Sequence, residues 1–95
     1  MHNAALSGNA EIILGQLASQ KGTSSDIKNF GNQMVTDHTS MATQLKNIAA
    51  SLNYKLPADT ALDQKHQQLK QQLMNTPSGF KWDSIYIDYG PSNSN

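Results

Sequence analysis

Between Ile27 and Leu52 the apolar positions fall at Ile27, Phe30, Met34, Met41, Leu45, Ile48 and Leu52. Steps of three and four place side chains on one face of an α-helix, because 3.6 residues complete a turn. The series has one gap, between Met34 and Met41, and His38 fills it. A histidine is therefore predicted on the core seam near the middle of the longest helix. The next segment repeats the pattern with Leu62, His66, Leu69 and Leu73. Two helices that each set a histidine on the buried face point to a site inside a helical bundle, and they do not name a reaction.

The rest of the chain supplies the partners. Asn3 to Gln20 is predicted as a first helix, with Leu6, Ala10, Ile13 and Leu17 as its stripe, Leu14 and Ala18 widening it and Glu11 beside it. Gly22 is expected as a left-handed C-cap, and Ser24 or Ser25 as the next N-cap with Asp26 near the positive helix end. So short a connection makes the first two helices antiparallel neighbours. Helix two, from about Ser25 to Leu52, spans roughly 40 Å at ~1.5 Å per residue. Gly31 within it permits close helix contact at about 1 kcal/mol in propensity. Asn53 to Asp59, with Pro57, breaks the pattern. Thr60 with Asp63 resembles a capping box, so a third helix is placed from there to about Asn75. Thr76-Pro77 reads as an N-cap and first position of a fourth helix carrying Phe80, Trp82, Ile85, Tyr86 and Tyr89. Gly90-Pro91 stops it. The expectation is an all-α antiparallel bundle over residues 1–90, three full helices and a short fourth, with a polar tail over 91–95.

Composition narrows the functions. Seven basic and seven acidic side chains give no net charge and no basic patch, which argues against nucleic acid as a partner. With no cysteine, disulfides, thiolate catalysis and thiolate metal sites are excluded. No apolar run approaches the ~18–20 residues of a transmembrane helix. Met1 to Ala5 lacks the regions of a signal peptide, so the chain as it stands is expected to remain where it is made, or to be a mature or partial form of something longer.

Candidate chemistry comes from depth along the helices. Glu11 precedes the first turn by ten residues and His38 follows it by about fourteen, so antiparallel paths of ~15 and ~21 Å leave them within about a helical turn. Asp37 adjoins His38 but points about 100° away. Asp63 and His66 are three apart and share a face. An acid-x-x-His pair with a glutamate from another helix is the ligand grammar of carboxylate-bridged metal sites, and imidazole with carboxylate suits iron, manganese or zinc. Met34 and Met41 flank His38 at i−4 and i+3, and thioethers beside imidazole favour copper(I). Each reading has a plain rival: a seam histidine can be satisfied core, Asp63 can cap its helix, and seam methionines are usually core filler. Asp83 and Asp88 on helix four could complete such a site, with a solvated face as the plainer reading; the aromatic group is read as packing, and the glutamine-rich run Gln64 to Gln72 as a solvated surface.

The stretch from Ala5 to Ala18 resembles the opening helix of a bacterial ferritin-like family catalogued as domain of unknown function 4142, whose members are often labelled outer membrane proteins. Phe30-Gly31-Asn32-Gln33-Met34-Val35-Thr36-Asp37-His38 is similar to its second-helix signature. Leu56-Pro57, Leu62-Asp63 with His66-Gln67, and Trp82 to Asp88 follow in the family's order, so the resemblance covers about residues 4–89. It implies a ferritin-like bundle exported to the periplasm or cell envelope, with Glu11, Asp37, His38 and His66 carried over as a metal site. Family members continue the fourth helix well beyond Asp88, so this chain reads as a truncated copy. An uncovered seam then predicts self-association or low stability.

Three functions compete. The first is a non-catalytic envelope domain, stress-related, that binds or scaffolds. The second is a metal-binding or iron-oxidising protein using Glu11, His38, His66 and Asp63. The third is a copper protein using His38, Met34 and Met41. Di-iron sites of ferritin-like proteins draw a Glu-x-x-His from each of two helices, whereas Val35 stands three residues before His38. That places the non-catalytic reading first.

Overall fold

The computed structural model describes residues 1–91, an all-helical chain in the order α1 (His2–Lys21), α2 (Ser25–Ser51), α3 (Gln64–Asn75) and α4 (Phe80–Tyr89). The expected tail, apart from Pro91, lies outside the described residues. The four helices form an elongated body 44 × 24 × 19 Å. α1 and α2 pair as an antiparallel hairpin, and α3 and α4 pack against α1. No helix among the described residues is long and apolar enough to cross a membrane.

The hairpin is set by two glycines. A Cβ on Gly31 would sit 2.6 Å from the Gly15 carbonyl oxygen and 2.7 Å from the Ala18 Cβ, and one on Gly15 would sit 2.8 Å from the Gly31 carbonyl oxygen. The backbones therefore touch at this crossing, and Gly31 is retained for space, as its place in the pattern predicts. Ser24 caps α2 by accepting from the Ile27 amide at 3.1 Å. Gly22 does not take the expected left-handed conformation; its φ is −60°. A Cβ there would lie 2.6 Å from both Ala18 O and Ile27 Cγ2, so crowding rather than φ selects glycine.

The core gathers Leu14, Ala18, Ile27, Leu73, Trp82 and Tyr86, with Leu17, Phe30, Leu69, Ile85 and Tyr89 packed against it. It occupies the end of the hairpin nearest the α1–α2 turn. On α1 the buried stripe runs through Ala10, Glu11, Leu14, Gly15 and Ala18, rotated from the expected one, so that Ile13 and Leu17 are half-buried and Glu11 is central. On α2 burial follows the seam through Ile27, Met34 and His38 and then fails: Met41, Ile48 and Leu52 are 52%, 52% and 62% exposed. Neither α3 nor α4 lies over that half.

Two helix starts differ from expectation. α3 begins after Asp63, whose carboxylate caps the helix by accepting from the His66 amide at 2.9 Å, so Thr60 has no capping role. Thr76 closes α3 instead of opening α4; its hydroxyl donates to Gln72 O at 2.7 Å. α4 starts later, after Gly79, and ends at the left-handed Gly90.

Candidate functional site

Four side chains from α1, α3 and α4 join in one hydrogen-bonded chain. Glu11 projects from the centre of the α1 stripe and is 1% exposed. The Tyr89 hydroxyl, carried inward by the spacing Trp82, Tyr86, Tyr89 on α4, donates to Glu11 Oε1 at 2.9 Å. The same hydroxyl lies 3.0 Å from His66 Nε2, and His66 Nδ1 lies 2.7 Å from Asp63 Oδ1. The residue that caps α3 thus also orients the imidazole one turn into it.

Proton counting limits the states of this chain. A phenol carries one proton, and a carboxylate accepts without donating. With Tyr89 donating to Glu11, His66 Nε2 must donate to Tyr89 while Nδ1 donates to Asp63, and the ring is an imidazolium. In the other arrangement Glu11 is protonated and donates to Tyr89, which donates to a neutral His66. The two carry the same number of protons and differ by a shift along the chain. Burial pushes the Glu11 carboxyl above its ordinary value, against the opposing pull of the Tyr89 hydroxyl and the His66 charge. The Asp63 carboxyl is held below its usual value, first by the His66 amide and then by the His66 ring. Glu11 Oε2 is buried and has no hydrogen-bond partner among the described residues.

Of the five candidate ligands, the structure brings together Glu11, Asp63 and His66, with Tyr89 between them. Asp37 is not among them: it is exposed on α2 and accepts from Gln33 Nε2 at 2.8 Å. His38 is 4% exposed and lines a different region, a cavity of about 830 Å³ between α1 and the second half of α2. Burial lowers its pKa, against the pull of Asp37, so the ring is neutral near pH 7. Among the described residues, no three histidine or carboxylate side chains are grouped so as to hold one metal ion. Met34 is buried beside His38 on the helix face, whereas Met41 is exposed at the cavity.

That cavity is walled by Ala5, Met41, Leu45, Ile48, Leu56 and Pro57. It is bounded by the connection between α2 and α3, which Asn9 fastens to α1 by donating to Ala58 O at 2.8 Å and Ala61 O at 3.0 Å. At the rim, Lys46 and Asp59 form an exposed pair at 3.2 Å.

Two important residues were placed otherwise by the sequence. Asp83 is buried instead of solvated. It accepts from the Thr23 amide at 3.0 Å, the Thr23 hydroxyl at 2.6 Å and the Ser24 amide at 3.3 Å, and so locks α4 onto the start of α2. Burial alone would raise its pKa, and these donors together outweigh burial and hold it low. The available signal was an acid next to a core tryptophan, with free turn amides at Thr23 and Ser24 needing an acceptor. Tyr89 was read as packing, yet it links Glu11 to His66; its step of three from Tyr86 put it on the core face in plain view.

The model of the family described as domain of unknown function (DUF4142) matches residues 1–91 of the 95, and the chain belongs to that family. No curated protein and no solved structure matches it.

Proposed function

We propose that this DUF4142 domain is a ferritin-like, non-catalytic binding or scaffolding module of the periplasm or cell envelope, stress-related, and that it acts by assembling with a second copy of itself. The observation that carries this is the exposed second half of α2. Met41, Leu45, Ile48 and Leu52 follow one another at steps of four, three and four, the spacing of a helix–helix seam. Three of them are more than half exposed beside the apolar cavity. A seam of this kind is self-complementary: the same stripe of a second copy, related by a two-fold axis, is apolar at matching intervals. Lys46 is the one charged side chain between Met41 and Leu52 and is paired with Asp59, and the chain has no net charge, so copies do not repel. The envelope location rests on the family resemblance. The chain has no cysteine, which makes the test clean. Ile48→Cys should give disulfide-linked dimers on mild oxidation, while Phe80→Cys, more exposed and at the opposite end, should not. Equal cross-linking of both would remove the proposed surface.

A second reading is favoured by one atom. The partnerless Oε2 of buried Glu11 is an acceptor suited to a cation, iron before zinc or copper, with His66 as the nearest imidazole in the chain of contacts. Stoichiometric Fe(II), Zn(II) or Cu(I) uptake that raises the melting temperature, and is lost in a Glu11→Ala, His66→Ala double variant, would bring this reading forward. Loss in His38→Ala instead would move the site to the cavity and its methionines. No uptake by the wild type would eliminate it.

A further inference from the structure

α4 presents three oxidisable rings in sequence. Trp82 is fully buried and stacks on Tyr86, with ring centres 5.7 Å apart and planes at 22°. Tyr86 lies 6.4 Å from Tyr89, and Tyr89 lies 5.6 Å from the His66 ring. Removing an electron from a phenol makes its hydroxyl strongly acidic, so the oxidation is feasible at modest cost only where a base stands within hydrogen-bond reach. Tyr89 has one base in either proton arrangement: Glu11 Oε1 at 2.9 Å when Glu11 is ionised, or His66 Nε2 at 3.0 Å when the ring is neutral. Tyr86 is in the opposite situation. Its hydroxyl is pushed well above the ordinary tyrosine range by burial and by the negative charge of Glu11, so it holds its proton. An electron vacancy created at Trp82 or Tyr86 therefore has one favourable place to settle.

Access fits the same role. Tyr89 is half-buried and lines an open recess of about 530 Å³ between α3 and α4, together with Lys65, Gln68, Ile85 and Asp88. A small molecule can reach the ring there, whereas Trp82 and Tyr86 are sealed in the core.

We propose that Tyr89 is a redox-active tyrosine, the terminus of a Trp82–Tyr86–Tyr89 path that carries one-electron oxidation out of the core. The oxidant is a one-electron acceptor of the inorganic or peroxyl radical class, which leaves as its anion. The electron passes from the Tyr89 ring to the oxidant, directly or through Tyr86 and Trp82. The hydroxyl proton moves to Glu11 Oε1, giving a neutral phenoxyl and a carboxylic acid. A one-electron donor of the thiolate or ene-diolate class then returns an electron to the Tyr89 ring in the recess and leaves as its radical, and Glu11 returns the proton to the phenoxyl oxygen. This role is independent of self-association at the other end.

The test is flash photo-oxidation of the purified full chain with a ruthenium polypyridyl sensitiser and persulfate, read by electron paramagnetic resonance. The chain has three tyrosines, Tyr54, Tyr86 and Tyr89. A phenoxyl signal should appear in the wild type and persist in a Tyr54→Phe, Tyr86→Phe double variant, where Tyr89 is the sole tyrosine. It should disappear in Tyr89→Phe, and Glu11→Gln should slow its formation and abolish most of the solvent deuterium effect. Persistence of the signal in Tyr89→Phe, or its loss in the double variant, would overturn the assignment. Because the double variant leaves the Glu11–Tyr89–His66 contacts untouched, it decides the question even if Tyr89→Phe folds poorly.

Discussion

The two halves of the α1–α2 hairpin use similar sequence patterns and end in opposite states. In the half near the turn, Trp82 and Tyr86 from α4 and Leu73 from α3 close over Leu14, Ala18 and Ile27. The Trp82 indole donates to Leu73 O at 2.7 Å, so even its polar edge is satisfied. In the far half, the seam of α2 continues with equal regularity, yet neither α3 nor α4 covers it and Met41, Ile48 and Leu52 face outward. Periodicity shows which face wants burial; whether that face is covered depends on the reach of other elements. Buried aromatics remove about 150–250 Å² each from water, and at roughly 25 cal/mol per Å² that is about 4–6 kcal/mol apiece. The covered half should therefore hold the stability of the domain and the open half its binding.

The sharpest way to break this contrast is to truncate one residue from each half. Trp82→Ala should cost about 3–5 kcal/mol and abolish cooperative melting. Ile48→Ala, on the same hairpin but in the open half, should cost about 1 kcal/mol or less in the monomer, since Ile48 is already 52% exposed. Comparable losses in urea titrations would mean that the halves are not energetically distinct.

Gly31→Ala tests the crossing on which both halves pivot. The added methyl meets backbone at Gly15 and the Ala18 side chain, neither of which can swivel away, so a loss on the order of 1–3 kcal/mol is expected. A neutral result by thermal denaturation would show that the helices separate without penalty.

Asp83→Asn should cost about 1–3 kcal/mol, because the donors from Thr23 and Ser24 lose a charged acceptor. The effect has a definite pH window. Asp83 is held below its unfolded value of 3.8, so the unfolded chain takes up the proton first as pH falls. Its contribution is fully present above pH 3.8 and is lost as pH drops through the folded pKa. The variant's acid limb should be flatter than the wild type's; parallel limbs would place the acid sensitivity elsewhere.

A smaller effect is expected at His38, at the border between the halves. Its pKa is lowered from 6.5, so its neutral form favours the fold above pH 6.5, and that contribution fades as pH falls toward the folded value. His38→Leu should leave stability unchanged or raised near pH 7 and remove this loss on mild acidification. Marked destabilisation at pH 7 would assign the imidazole a structural bond.

Most of the helical architecture was legible, and the reasons for the misses are physical. The long hairpin follows from the spacing on α2, the short Gly22 to Ser24 connection and the small residue Gly31, whose partner Gly15 only the structure shows. The starts of α3 and α4 were misplaced because a cap is a hydrogen bond: Thr60 and Thr76 are suitable cap residues, but Asp63 has the His66 amide and Thr76 is already held by Gln72. The sequence placed Glu11 within about a helical turn of His38, whereas the structure joins it to His66 through Tyr89, and the Tyr89–Glu11 contact spans 78 positions that no local pattern encodes. Asp83 was misread for the same reason, since its partners lie 60 residues earlier.

The central claim, that the open half of α2 is where a second copy docks, is tested most directly by sedimentation equilibrium over a range of micromolar concentrations. The wild type should fit a reversible monomer–dimer equilibrium, and Ile48→Glu should be monomeric throughout with a melting curve within about 0.5 kcal/mol of the wild-type monomer. A wild type that stays monomeric at every concentration, or an Ile48→Glu variant that dimerises as well, would contradict it.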